Sequence, residues 1–108
     1  MRVNGFELKR KKIRPSKAME ANRAAIRRII EVHRAINPRV FGSVLHGNDT
    51  TESDLDILID TTSETTLLDV AKIQGELEDL LEVPVDVLTI EELPKRYRNT
   101  VLAEAEAV

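Results

Sequence analysis

Asp54 and Asp56 open a run, Asp54-Leu55-Asp56-Ile57-Leu58-Ile59-Asp60, that reads as a strand over 54–60. Side chains alternate between the faces of a strand, so the two carboxylates project from one face about 7 Å apart while Leu55, Ile57 and Ile59 enter a core. Two carboxylates on one face repel each other. Hard, oxygen-seeking cations such as Mg²⁺ turn that repulsion into a binding site, and two ions roughly 4 Å apart can share such a pair. A third carboxylate, Asp86, stands between Val85 and Val87 in a second strand-like run over 83–88. If the two strands are neighbours, Asp86 joins Asp54 and Asp56 on one surface. Gly42-Ser43 is the matching half. Without a Cβ, Gly42 lets the backbone approach an anion, the following amides point outward from a short helical turn, and Ser43 adds a hydroxyl donor. A phosphate held there, with cations on the carboxylates, is the arrangement for displacement at the α-phosphorus of a nucleoside triphosphate. Asp-x-Asp alone also serves as an edge-strand charge, and Gly-Ser alone carries no chemistry. Their combination at fixed spacing, with a third strand-borne aspartate, is what points to catalysis.

The elements that must hold these residues follow from periodicity and punctuation. Ser16 is placed to cap a helix running to about Ala35, with Met19, Ile26, Ile29, Ile30 and His33 on one face, and Asn37-Pro38 ends it. Arg39-Val40-Phe41 reads as a short strand running into Gly42-Ser43. Gly47 to Ser53 has turn composition throughout and predicts a loop. A second helix over about 64–81 presents Leu67, Val70, Ala71, Leu77, Leu80 and Leu81, with Gly75 as a weak point. Pro84 suits the start of an edge strand. Thr89 and Glu92 have capping-box spacing, and Pro94 opens a last helix whose stripe is Leu93, Tyr97, Val101 and Ala105. That stripe fits packing on the chain's own sheet, or contact with a partner. The order predicts an α+β domain, a small mixed β-sheet with helices packed on one face.

Composition narrows the function. A chain of 108 residues, 42% hydrophobic and 32% charged, has room for one core. It has no cysteine, which excludes disulfides, thiolate zinc sites and sulfur nucleophiles. No apolar run is long enough to span a membrane or resembles a signal peptide, so a cytoplasmic location is expected. Phe6, Phe41 and Tyr97 are its only aromatics and make no base-stacking platform. Residues 1–17 hold Arg2, Lys9, Arg10, Lys11, Lys12, Arg14 and Lys17 against Glu7, a +6 arm; residues 18–108 hold nine basic and eighteen acidic residues, a −9 domain. The arm is the one feature that leans toward nucleic acid, and a solvated tail explains it as well. His33 fits a partly buried, satisfied histidine, and His46 a solvent-facing loop residue. Asp49, Glu52, Asp54, Asp56 and Asp60 lack the central glycine and closing glutamate of an EF-hand, which excludes a calcium loop.

Gly42-Ser43, ten residues, then Asp54-Leu55-Asp56 resembles the Gly-Ser-x10-Asp-x-Asp signature of the DNA polymerase β-like nucleotidyltransferase superfamily. Arg39-Val40-Phe41-Gly42-Ser43-Val44 and Ser53-Asp54-Leu55-Asp56-Ile57-Leu58-Ile59 look like its minimal nucleotidyltransferase branch. The resemblance covers about residues 20–105. It implies that Asp54 and Asp56 bind two Mg²⁺ ions, that Asp86 completes one metal site and helps activate the nucleophile, and that Gly42 and Ser43 hold the triphosphate of ATP. The minimal branch is similar to antitoxins paired with HEPN-domain toxins, which implies transfer of AMP to a toxin tyrosine. Two alternatives stay open: an antitoxin that neutralises by binding alone, and a nucleotidyltransferase acting on a small molecule or an RNA end.

Overall fold

Four strands form one mixed sheet in the order β3-β2-β1-β4, and its two central neighbours are the strands on either side of the Gly-Ser turn and the ten-residue spacer. The computed structural model describes residues 12–108; Arg2, Lys9, Arg10 and Lys11 of the basic arm lie outside them. The described elements are α1 (Pro15–Ala21), α2 (Arg23–Val32), β1 (Ala35–Phe41), α3 (Gly42–Leu45), β2 (Leu55–Thr61), α4 (Leu67–Leu81), β3 (Val85–Thr89), a 3₁₀ turn (Ile90–Glu92), α5 (Lys95–Glu104) and β4 (Glu106–Ala107). β1 runs antiparallel to β2 and β4, whereas β2 and β3 are parallel and joined through α4.

The predicted first helix is two helices. At Asn22 the backbone leaves helical geometry (φ −135°) and the side-chain amide donates to the Ala18 carbonyl at 2.8 Å, a local bond that competes with the helical ladder. The Asn22 carbonyl then accepts Ile26 N–H and starts α2. Ser16 is not the cap: α1 begins with Pro15 in its first turn, after Arg14. Nor does Asn37-Pro38 end the helix. α2 stops at Val32 and the chain reverses at Arg34, which is left-handed (φ 68°) and whose carbonyl is held by the Thr62 and Thr65 hydroxyls. Asn37-Pro38 instead lies within β1, at a bulge between Ile36 and Arg39 with Asn37 also left-handed (φ 54°). A bulge releases a position from the ladder, which is where a strand tolerates proline.

The core lies between the sheet and one layer of helices. Leu55, Ile57 and Ile59 of β2, Val85 and Val87 of β3 and Val40 of β1 meet Met19, Ile26, Ile30, Ile73, Leu77 and Leu81. The face of α4 is therefore Val70, Ile73, Leu77 and Leu81, at helical spacing, and it corrects the predicted one: Leu67 is 88% exposed, and Ala71 and Leu80 also face outward. Thr66 and Asp69 cap this helix reciprocally. Leu77→Ala removes a fully buried side chain from the centre of the core and is expected to cost about 2–5 kcal/mol in urea unfolding. Leu67→Ala is expected to stay within about 0.5 kcal/mol of wild type, and a large loss there would contradict this phase.

Candidate active site

The opposite face of the sheet carries the chemistry. Asp56 is the register partner of Asp86 across the parallel β2–β3 pair and of Phe41 across the β1–β2 pair, so Phe41, Asp56 and Asp86 form one row. Gly42 follows Phe41 directly and Asp54 precedes β2 by one residue. All five residues singled out by the sequence thus gather at one end of three adjacent strands. Asp54 and Asp86 are exposed, and Asp56, Gly42 and Ser43 are half-buried.

Partial burial, then the negative charges of Asp86 and Asp54, push the Asp56 carboxyl up to about 6. Among the described residues none of the three carboxylates has a salt bridge or hydrogen bond to relieve that repulsion. Gly42 sits against the same group. Its φ is +75°, a left-handed conformation, and a Cβ built on it would overlap Asp56 Oδ2 and lie 3.2 Å from Asp56 Cγ. The residue must be glycine on two counts, and both are additional to the phosphate approach for which the sequence singled it out.

Asp56 links stability to pH. An unfolded aspartyl titrates near 3.9, so between about pH 4 and 6 the folded chain binds more protons than the unfolded one. The contribution of Asp56 to stability is fully present below that interval and is lost as pH rises through it. Asp56→Asn is expected to melt above wild type in chelator at pH 7.5, with the advantage gone at pH 4. Equal melting temperatures at pH 7.5 would contradict the repulsion.

The surroundings hold this row in place. β3 is an edge strand, and its outward amides are taken up by α4: Val85 N–H donates to Glu78 Oε2 at 3.0 Å and Val87 N–H to Gln74 Oε1 at 3.2 Å. Those bonds bracket Asp86. Asp60, on the same face as Asp56, is separated from the acidic group by its own cation: Arg39 donates to both of its oxygens at 2.9 and 3.2 Å, and Asn37 adds a third bond. The Arg39 bonds outweigh burial and hold the Asp60 carboxyl below its usual range. His33 is satisfied, as expected, by Glu76 at 2.8 Å. His46, half exposed just after α3, reaches Glu104 of α5 at 3.2 Å, a contact sequence spacing does not reveal.

The donor set is made of carboxylate oxygens alone, uncompensated and crowded enough to raise one of them, which is the chemistry of a hard divalent-cation site. Among the described residues no three Asp, Glu, His or Cys side chains already converge at metal-ligand spacing.

Residues 23–108 match the family model described as a nucleotidyltransferase domain. The chain belongs to this family. The nucleotidyltransferase is 33% identical over 82 residues to a Methanocaldococcus jannaschii protein named "Putative protein adenylyltransferase", a match covering 73% of this chain and 88% of that one. A solved structure titled as a "putative minimal nucleotidyltransferase" superposes with TM-score 0.74 at 39% identity, over 86% of this chain and 93% of the other. The nucleotidyltransferase is therefore of the minimal type. A structure described as a toxin-antitoxin with AMP-PNP shares the fold at TM-score 0.67 and 17% identity, covering 80% of this chain and 71% of that one. Among the described residues no helix is long and apolar enough to cross a membrane.

Proposed function

We propose that this nucleotidyltransferase moves AMP from ATP to a hydroxyl, a tyrosine of a HEPN-type toxin, and acts as the antitoxin of that pair. The observation that carries the reading is the gathering of Asp54, Asp56 and Asp86 beside Gly42-Ser43, with Asp56 raised by partial burial and by its two neighbours. The name of the M. jannaschii relative supports a protein acceptor and AMP as the group moved. The toxin-antitoxin structures that share the fold, one with AMP-PNP, support the partner and the nucleotide.

Each residue has a task in this reading. Gly42 and Ser43 would hold the triphosphate, Asp54 and Asp56 would hold two Mg²⁺ ions, and Asp86 would complete one ion site and help activate the hydroxyl. Mg²⁺ there supplies a lowered pKa for the attacking hydroxyl and charge stabilisation for the departing pyrophosphate. The chemistry falls within residues 18–108, α1 reaching back to Pro15 in the basic stretch over 1–17, and an ATP-dependent antitoxin of this kind would act in the cytoplasm. The partner meets α5: the helix buries none of its residues, and Tyr97 and Leu102 are 51% and 40% exposed.

The test incubates the protein with α-labelled ATP, Mg²⁺ and the HEPN protein encoded beside it. Label on a toxin tyrosine that vanishes with Asp56→Ala is the expected result. Neutralisation that persists in Asp56→Ala without label would replace this reading with an antitoxin that acts by binding. Label on RNA or a small molecule instead would replace the acceptor.

A further inference from the structure

The ten-residue spacer between Ser43 and Asp54 sets the distance from the phosphate turn to the first carboxylate, and one of its residues departs from the rest. Among residues 46–54 only Asp49 is buried, at 6% exposure, and its side chain is closed off altogether. It accepts Ser16 N–H at 2.9 Å through Oδ2, and Arg14 donates to Oδ1 at 3.4 Å. Burial works against its charge, but the bonds from Ser16 and the Arg14 guanidinium outweigh that and hold the carboxyl below its usual range. A buried, paired carboxylate in a loop of otherwise exposed polar residues is expensive to place and costly to break. The loop closes on itself through Thr50 and Ser53 (Thr50 N–H to Ser53 Oγ, 2.8 Å) and returns to the phosphate turn through Asn48 N–H to the Ser43 carbonyl at 2.9 Å. Its side-chain links to the segment before α1 and to α1 itself run through Asp49 and the exposed Lys12–Glu52 pair.

We propose that Asp49 is a positioning residue of the nucleotide site: by tying the spacer to Arg14 and the first turn of α1, it fixes Asp54 relative to Gly42 and Ser43. The proposal rests on the reading of these residues as a metal and triphosphate site. Asp49 lies five residues before Asp54 and six after Ser43, so releasing it frees the loop that joins the two halves, while the strands bearing Asp56 and Asp86 keep their own ladder. The cost then falls on joint binding of metal and triphosphate. Misplacements of about 1 Å in such constellations cost on the order of 10²-fold.

The experiment titrates Mg²⁺ with a non-hydrolysable ATP analogue against wild type, Asp49→Ala and Asp49→Asn, following binding by calorimetry at a temperature where circular dichroism shows each chain folded. Asp49→Ala is expected to raise the half-saturating concentration by about tenfold or more. Asp49→Asn keeps an acceptor for Ser16 N–H and is expected to recover most of the loss, to within about threefold of wild type. A residue serving stability alone would lower the melting temperature and leave the midpoint of the folded chain where it was, and that result overturns the proposal. Should Asp49→Ala not fold, Arg14→Ala, which removes one of the two ties from a half-exposed side chain, is expected to raise the midpoint several-fold, and an unchanged midpoint there overturns the proposal as well. A wild type that binds the analogue but moves no label from α-labelled ATP removes the transfer reading while the midpoints still judge Asp49. No binding by wild type removes both.

Discussion

Asp56→Ala is expected to lower nucleotidyl transfer by about 10³-fold or more while the chain stays folded. The magnitude follows from where Asp56 sits. It is the register partner of Asp86 and feels the charges of both Asp86 and Asp54, so in the proposed reading its carboxylate would serve both cations. In that reading, loss of Asp54 or Asp86 would leave Asp56 with one partner to hold an ion, whereas loss of Asp56 would leave Asp54 and Asp86 without their shared neighbour. The loss is catalytic in kind, because the same substitution relieves a repulsion and should not weaken the metal-free fold. Rates with α-labelled ATP, read beside thermal melts in chelator, check both halves. An Asp56→Ala chain that keeps more than a tenth of wild-type transfer would place the chemistry elsewhere.

Gly42→Ala is expected to abolish activity to a similar depth, and for a different reason. At φ +75° any side chain is strained by about 1 kcal/mol or more, and here the new Cβ would also overlap Asp56 Oδ2. Either the Gly42-Ser43 turn or the carboxylate has to move, and both belong to the candidate site. Gly47→Ala separates the two causes. Gly47 has nearly the same φ, +74°, yet nothing lies within 4 Å of its would-be Cβ. It is expected to lose about 1 kcal/mol of stability in denaturant unfolding and to keep its transfer rate within a few-fold of wild type. Equal activity losses in the two variants would mean that backbone strain, and not the contact with Asp56, is what glycine is needed for.

The placement of the candidate site residues was more legible in the sequence than the scaffold around them. Alternation along 54–60 placed Asp54 and Asp56 on one face and Leu55, Ile57 and Ile59 on the other, and a strand's period leaves no second choice once one face is buried. Valines on both sides of Asp86 fixed its orientation in the same way, though only the parallel pairing of β2 with β3 sets it beside Asp56. The helices were harder. In α4 the leucines outnumber the positions available on one face, and counting them selected Leu67 and Leu80 over Ile73, which is fully buried. The break at Asn22 and the place of Asn37-Pro38 inside a strand escape a sequence reading because they depend on what lies nearby: the Ala18 carbonyl for Asn22, and for the left-handed Asn37 a side-chain hydrogen bond to Asp60. Asp49 had no sequence signal at all. Its partners, Arg14 and Ser16, lie more than thirty residues away, and a turn-rich loop gives no hint that one of its acids is buried.

The central claim is that three strand-borne aspartates and the Gly42-Ser43 turn form one site for metal and triphosphate. A titration of Mn²⁺ in the presence of a non-hydrolysable ATP analogue, followed by electron paramagnetic resonance, tests it directly by counting bound ions. Two Mn²⁺ per chain, with the pair lost in Asp56→Asn, is the predicted result. Binding that is absent in wild type, or that ignores the substitution, would contradict it.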